Sequence, residues 1–193
     1  HHFEIRKNIL EYDDVMSQQR KTVYEKRRQI LAGENLKDLL LDMIDAVVEH
    51  IAQEFDPDKS DDFNVKGLGE RVLEQFGLTL TFDENGRWNS DTIGQKIYDE
   101  AVAAYKIKED QHGPELMISV QRYFMLQTLD QLWKDHLLGM DHLREGIGLR
   151  GYGQKDPRLE YKKEGFALFE EMMFQFYQGA VERLFKVHIE KKE

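Results

Sequence analysis

The sequence predicts an all-α protein: a long scaffold helix packed with an antiparallel two-helix hairpin, plus a small, mainly helical inserted wing lobe. Three observations carry this. Proline occurs only three times in 193 residues, at Pro57, Pro114 and Pro157. Between those breaks, apolar residues recur every three to four positions over long stretches. One third of the residues (33%) are charged, above the ~25% usual in a globular domain, as suits helices with one wet face.

The first element spans residues 3–32, which contain no Gly or Pro. Ile5, Ile9, Tyr12, Met16, Val23 and Ile30 form one stripe, with Gln19 and Lys26 on it. The spacing predicts a strut of roughly 45 Å with a coiled-coil-like seam. Gly33 stands at the position that ends it.

Residues 34–55 predict a second helix. Leu36, Leu39, Leu40, Met43, Val47, Ile51 and Phe55 mark its buried face, and Asp38, Asp42, Asp45 and Glu49 its wet face. Residues 56–64 are turn formers. A short helix follows over Val65–Phe76. Leu78, Leu80 and Phe82 then alternate with threonines before Asn85-Gly86, as in a small hairpin or an extended segment. Ser90 is placed to cap a helix running to about Asp110.

Gly113-Pro114 separates this lobe from a long helix whose stripe runs Leu116, Val120, Tyr123, Leu126, Leu129, Trp133, Leu137, Met140, Leu143 and Ile147. Residues 146–157 hold four of the 14 glycines and read as a tight loop. Asp156 is a candidate N-cap and Pro157 a first helical residue. The last helix is predicted from Pro157 to about Ile189. Its inner face holds Leu159, Phe166, Phe169, Met173, Phe176, Ala180, Leu184 and Val187. Two long helices joined by a short loop make an antiparallel hairpin.

The net charge of −10 is unevenly spread: residues 1–33 carry +2, residues 34–110 carry −11 and residues 111–193 carry −1. That asymmetry supports an acidic inserted lobe with its own surface. Cysteine is absent, which excludes disulfides, thiolate zinc sites and a cysteine nucleophile. No apolar run approaches the ~20 residues of a membrane span. The start lacks the pattern of a secretory signal peptide, with His1-His2 set aside as native or tag.

Catalytic and metal motifs are lacking. The glycines at 146, 148, 151 and 153 have dinucleotide-loop spacing, but such a loop follows a strand and here a helix precedes it. His136 and His142 would not share a helix face, and Glu109 with His112 makes one E-x-x-H where a di-iron bundle needs two. No metal site is expected. The pairs Asp13-Asp14 and Asp61-Asp62 suit solvated faces, although Asp13-Asp14, in mid-helix, also suits a contact with another domain. Trp133 with Phe166, Phe169, Phe174, Phe176 and Tyr177 falls at helical spacing and is read as core.

The hairpin tip stands apart. Residues 144–163 carry a net +3 in an acidic chain, and Tyr152 lies between Gly151 and Gly153. An aromatic on a basic loop suits contact with a polyanion or a peptide chain. A tyrosine folded back on the hairpin is the other reading.

Two long motifs resemble the SecA preprotein translocase family. FEIRKNILEYDDVMSQQRKTVYEKRRQIL, residues 3–31, resembles its long scaffold helix. LQTLDQLWKDHLLGMDHLREGIGLRGYGQKDPRLEYKKEGFALFEEM, residues 126–172, resembles its two-helix finger. The resemblance implies a helical scaffold domain made of 1–33 and 111–193, with a tip loop at 146–156 and a helical wing domain at 34–110. It implies part of an ATP-driven motor that moves unfolded preproteins through the SecYEG channel. Arg150, Gly151, Tyr152, Gly153, Gln154 and Lys155 would then be the tip touching channel and translocating chain. Asp13, Asp14 and Arg20 would be candidates for contact with the motor's nucleotide-binding domains. The family's hairpin is also described as a restraint on ATP hydrolysis, and its scaffold and finger as bordering the signal-peptide groove. ATP and Mg would be held by domains outside this chain, so this chain is expected to bind no cofactor and to hydrolyse no ATP by itself. The expected location is the bacterial cytoplasm, peripherally on the plasma membrane through the channel and lipids. An alternative is a stand-alone helical adaptor that binds a partner helix. Nucleic-acid binding fits the charge poorly.

Overall fold

The computed structural model describes residues 2–59, 63–150 and 155–190. Among these residues the chain is helical and carries no strand. The helices are α1 (His2–Ala32), α2 (Leu36–Glu54), α3 (Val65–Phe76), α4 (Ser90–His112), α5 (Pro114–Arg150) and α6 (Pro157–Lys186), with a short 3-10 turn at Pro57–Lys59.

The chain forms two compact units. One is α1 with the stretch Leu126–Phe176 of α5 and α6. The other takes in Gly33–Met125 and the chain from Tyr177 onward. The second unit therefore contains the expected wing, 34–110, together with the first third of α5 and the end of α6. The boundaries fall inside α5 and α6, because both helices continue through them without a break.

In the first unit, α1 buries Gln19, Val23 and Ile30, and Tyr12, Val15 and Met16 pack on a cluster of Met140, Leu143, Ile147 and Tyr161. The predicted seam thus starts at Tyr12. Ile5 and Ile9 are exposed, since the start of α1 turns Phe3, Glu4, Lys7 and Asn8 toward Asp156, Pro157 and Arg158 instead. The first half of the α6 face is also rotated from its prediction: Tyr161, Gly165 and Met172 are buried and Leu159 and Phe166 are exposed, whereas Phe176, Ala180 and Leu184 are buried as predicted. Gly165 causes this phase. A Cβ there would lie 2.8 Å from Met140 Cε and 3.8 Å from Val15 Cγ1, so the glycine backbone itself sits against α5 and α1. Phe166, one residue on, turns outward and does not join the aromatic core.

In the second unit, α2 packs along α4. Leu40, Met43, Ile44, Val47 and Ile51 meet Ile93, Ile97 and Ala101 as a fully buried core. Gly94 lets α4 approach closely, its Cβ position lying 3.5 Å from Ala52 Cβ. On α5, Met117, Gln121 and Met125 are buried, while the predicted Leu116 and Tyr123 are exposed. The segment 78–89 forms no hairpin. Phe82 is buried against Trp88 (ring centroids 5.3 Å), Trp88 Nε1 donates to Asp83 O at 2.8 Å, and Lys96 Nζ donates to Thr81 O at 2.6 Å. Side chains and a helix thus take the contacts a second strand would have made.

Caps differ from prediction in one place. The N-cap of α4 is Asn89, whose side chain accepts from Thr92 N at 2.9 Å while Thr92 Oγ1 accepts from Asn89 N. Ser90 is the first helical residue. Asp156 caps α6 as expected, its Oδ1 accepting from Arg158 N at 3.0 Å. α6 ends at Lys186, three residues before the predicted end.

Candidate functional site at the hairpin

The sequence predicts a loop opening at Gly146. Instead α5 continues through Gly146 and Gly148 to Arg150. Glycine costs a helix up to about 1 kcal/mol relative to alanine, yet Ile147 between them is buried at 2% exposure in the Met140 cluster, which outweighs that cost. The connection between the helices therefore spans only 151–156. Two of the four glycines with dinucleotide-loop spacing are helical, so they cannot cradle a phosphate as a loop.

Gln19 joins α1 to both hairpin helices. Its Oε1 accepts from His136 Nε2 at 2.7 Å, and its Nε2 donates to Gly165 O at 3.1 Å. His136 stacks on Trp133 (5.6 Å, 27°) and meets Phe169 at 5.7 Å. Burial pushes the imidazole pKa below its usual value, which favours the neutral form, and the Gln19 Oε1 acceptor selects its Nε2–H tautomer. His142 is exposed.

Nearer the tip, Tyr12 packs on Tyr161 at 4.5 Å, and the Arg144 guanidinium lies 5.2 Å from the Tyr12 ring centroid. Burial pushes both phenols up. Arg158 binds Asp156 through Nε (3.2 Å) and Nη2 (3.1 Å), and reaches Glu11 through Nη1 at 3.3 Å. That fork holds the Asp156 carboxyl below the usual carboxylate range. It also ties the start of α6 to α1. Lower down, Arg27 pairs with Asp130 in two-pronged fashion at 2.9 and 3.2 Å, an exposed pair that adds orientation more than stability.

The predicted site residues fall as follows. Arg150 ends α5, is exposed and pairs with Glu164 of α6, so this tip cation is drawn back onto the hairpin. Lys155 is exposed. Gly151, Tyr152, Gly153 and Gln154 lie outside the described residues. Asp13 contacts Arg144 at 3.5 Å, which uses part of its charge within the unit. Asp14 and Arg20 are exposed on α1. Asp61 and Asp62 lie outside the described residues.

A groove of about 460 Å³ runs between α1 and α6, lined by Asp14, Val15 and Gln18 on one side and Lys162, Phe166 and Phe169 on the other. Phe166, exposed at 61%, supplies its apolar wall. An apolar strip with two carboxylates, Glu11 and Asp14, and one ammonium, Lys162, on its rims can take a peptide side chain or helix face. The sequence reading missed this groove because it assigned Phe166 to the core.

In the second unit, Lys108 of α4 donates to Leu184 O (3.1 Å), Phe185 O (3.1 Å) and Val187 O (2.6 Å). Tyr105, one turn earlier, accepts from Gln121 Nε2, and burial pushes its phenol up to about 12. Among the described residues there is no cluster of three or more His, Asp or Glu side chains that could hold a metal, and no helix long and apolar enough to cross a membrane.

The family described as SecA wing and scaffold domain matches residues 1–188. This chain belongs to that family. A protein translocase subunit SecA from Syntrophus aciditrophicus (strain SB) is 47% identical over 194 residues, covering 99% of this chain and 23% of that protein. The SecA subunits of Syntrophobacter fumaroxidans (43%, 99% of this chain, 23% of that protein) and Trichlorobacter lovleyi (44%, 100% and 22%) are similar to it in the same way. The chain spans under a quarter of the length of these SecA relatives, which are all bacterial.

Proposed function

We propose that this chain is the wing, scaffold and finger part of an ATP-driven motor that moves unfolded preproteins through the SecYEG channel. The observation that carries the proposal is the SecA match over residues 1–188, on a hairpin whose two helices are both bonded to α1 through Gln19. In this reading α1 is the lever. A 31-residue helix locked to the hairpin at Gln19, Glu11 and Arg27 transmits displacement to the hairpin with little bending.

The tip, Arg150 to Lys155, contacts the channel mouth and the translocating chain, and Tyr152 is its contact aromatic. A phenol offers a flat apolar face and a hydroxyl, so it holds any sequence without demanding particular partners. The groove between α1 and α6 is available to an apolar segment such as a signal peptide. Asp14 and Arg20, exposed on α1, face the parent's nucleotide-binding domains. Those domains hold ATP and Mg and carry out hydrolysis, which the hairpin restrains. This chain contributes no catalytic residue and binds no nucleic acid. The assembly works on the cytoplasmic face of the bacterial plasma membrane, held there through the channel and lipids.

The test is Tyr152→Gly in the full-length motor. Preprotein transport should be lost while the far-UV helical signal is kept, and transport at the wild-type rate overturns the tip role. Adding this chain in trans to the motor's nucleotide-binding domains should lower their ATP turnover. Binding without any change in turnover overturns the restraint.

A further inference from the structure

One charge of the second unit meets the last main-chain carbonyls of α6. An ammonium carries three N–H donors and no acceptor, and Lys108 Nζ meets three main-chain oxygens, of Leu184, Phe185 and Val187. These carbonyls belong to a helix end, where oxygens lack intrahelical partners and the macrodipole leaves partial negative charge. Other contacts nearby are Phe76 and Tyr105 against the Phe185 ring, at 5.2 and 6.2 Å, Gln75 Nε2 donating to Gln178 O at 2.9 Å, and the buried side chains of Ala180, Val181 and Leu184.

We propose that Lys108 is a charge-dependent latch: its ammonium docks the last turn of α6 on α4, and neutralising it releases that turn while the α2–α4 core stays folded. A neutral amine has two donors and a lone pair, and that lone pair would face a carbonyl oxygen. Acylation leaves one donor and no charge. Either change leaves part-buried carbonyls without the ammonium. The α2–α4 core does not share this dependence, because Met43, Ile44, Val47, Ile93, Ile97 and Ala101 make it from apolar contacts. Burial lowers the Lys108 pKa, so protection of the docked amine from an acylating reagent comes from the three carbonyls that occupy and cover Nζ, and the released state reacts faster.

Hydrogen–deuterium exchange on the Lys108→Met protein tests this. Peptides covering 180–189 should exchange ~10- to 100-fold faster, the range expected for losing charge-assisted bonds at a helix end. Peptides from α2 should be unchanged, and Lys108→Arg should restore most of the protection. Unchanged exchange at 180–189 overturns the latch. Equal acceleration in α2 also overturns it, since Lys108 would then support the whole lobe. A wild-type measurement is independent of how the variant folds. Under limiting N-hydroxysuccinimidyl acetate, Lys108 should be acetylated at least ~10-fold more slowly than the exposed Lys106 two residues away. Equal reactivity overturns the proposal.

Discussion

Gln19 Oε1 accepts a hydrogen bond from His136 Nε2 at 2.7 Å, across 117 residues of sequence, and both side chains are buried. The same amide donates to Gly165 O at 3.1 Å, so one side chain holds two helices to α1. Gln19→Leu keeps the volume and removes both bonds. It leaves the buried His136 Nε2–H unpaired, while Gly165 O, in mid-helix, keeps its intrahelical bond. The expected loss is about 1–3 kcal/mol. Urea unfolding followed by Trp133 fluorescence, in a Trp88→Phe background, reports it, because Trp133 stacks on His136. A loss under about 0.5 kcal/mol would mean that water replaces the amide without cost.

His136 also sets a pH dependence. Burial lowers its pKa from the ordinary 6.5. Above 6.5 the imidazole is neutral in both states and contributes nothing to the slope. As pH falls below 6.5 the unfolded chain takes up the proton first, so stability falls, by at most about 1.4 kcal/mol per pH unit. The decline stops once pH passes below the folded-state value. His136→Gln should flatten the stability curve between about pH 6.5 and 5.5, above the main carboxylate range. An unchanged slope in that window would show that another group causes it.

Most of the helices were legible because each has a stripe and a punctuation mark. Gly113-Pro114 and Asp156-Pro157 stand at helix starts, and the α2 stripe from Leu36 to Ile51 is buried as spaced. What was not legible depends on pairs far apart in sequence. Nothing local marks Gly165 as the point where α6 touches α5 and α1, and that contact decides that Tyr161 is buried and Phe166 is not. Gln19 sat on the predicted seam as a polar interruption, but its partners lie 117 and 146 residues away. Gly146 and Gly148 read as loop on propensity, although Ile147 between them already stands on the predicted stripe and its burial keeps them helical. The exposure of Phe3, Ile5, Ile9 and Leu10 on α1 carries no stripe signal that differs from a buried seam.

Two glycines should respond to alanine with opposite signs. Gly33 has φ +71°, and a Cβ there would meet Arg122 Nη2 at 2.3 Å. Alanine must enter the left-handed region at about 1–2 kcal/mol and push the guanidinium aside. Gly139 is helical within α5 and has nothing within 4 Å of its Cβ position. Alanine there should stabilise by about 0.5–1 kcal/mol through helix propensity and a less flexible unfolded chain. Thermal unfolding of the two variants side by side checks this. Equal shifts of the same sign would contradict the backbone assignment at Gly33.

The start of α4 separates a residue that looks like a cap from one that is a cap. Asn89 has extended backbone (φ −142°, ψ 176°), and its side chain and that of Thr92 satisfy each other's backbone N–H groups. Ser90 is already inside the helix, where its hydroxyl is not in the capping position. Asn89→Ala should therefore cost about 1 kcal/mol, and Ser90→Ala should change stability by less than about 0.5 kcal/mol. The cost should appear in the second unit, whose core α4 supplies through Ile93 and Ile97. Trp88 reports on it, because its ring lies one residue before the cap and packs on Phe82 at 5.3 Å. If Ser90→Ala proved the more damaging change, the helix would start one residue later than it does here.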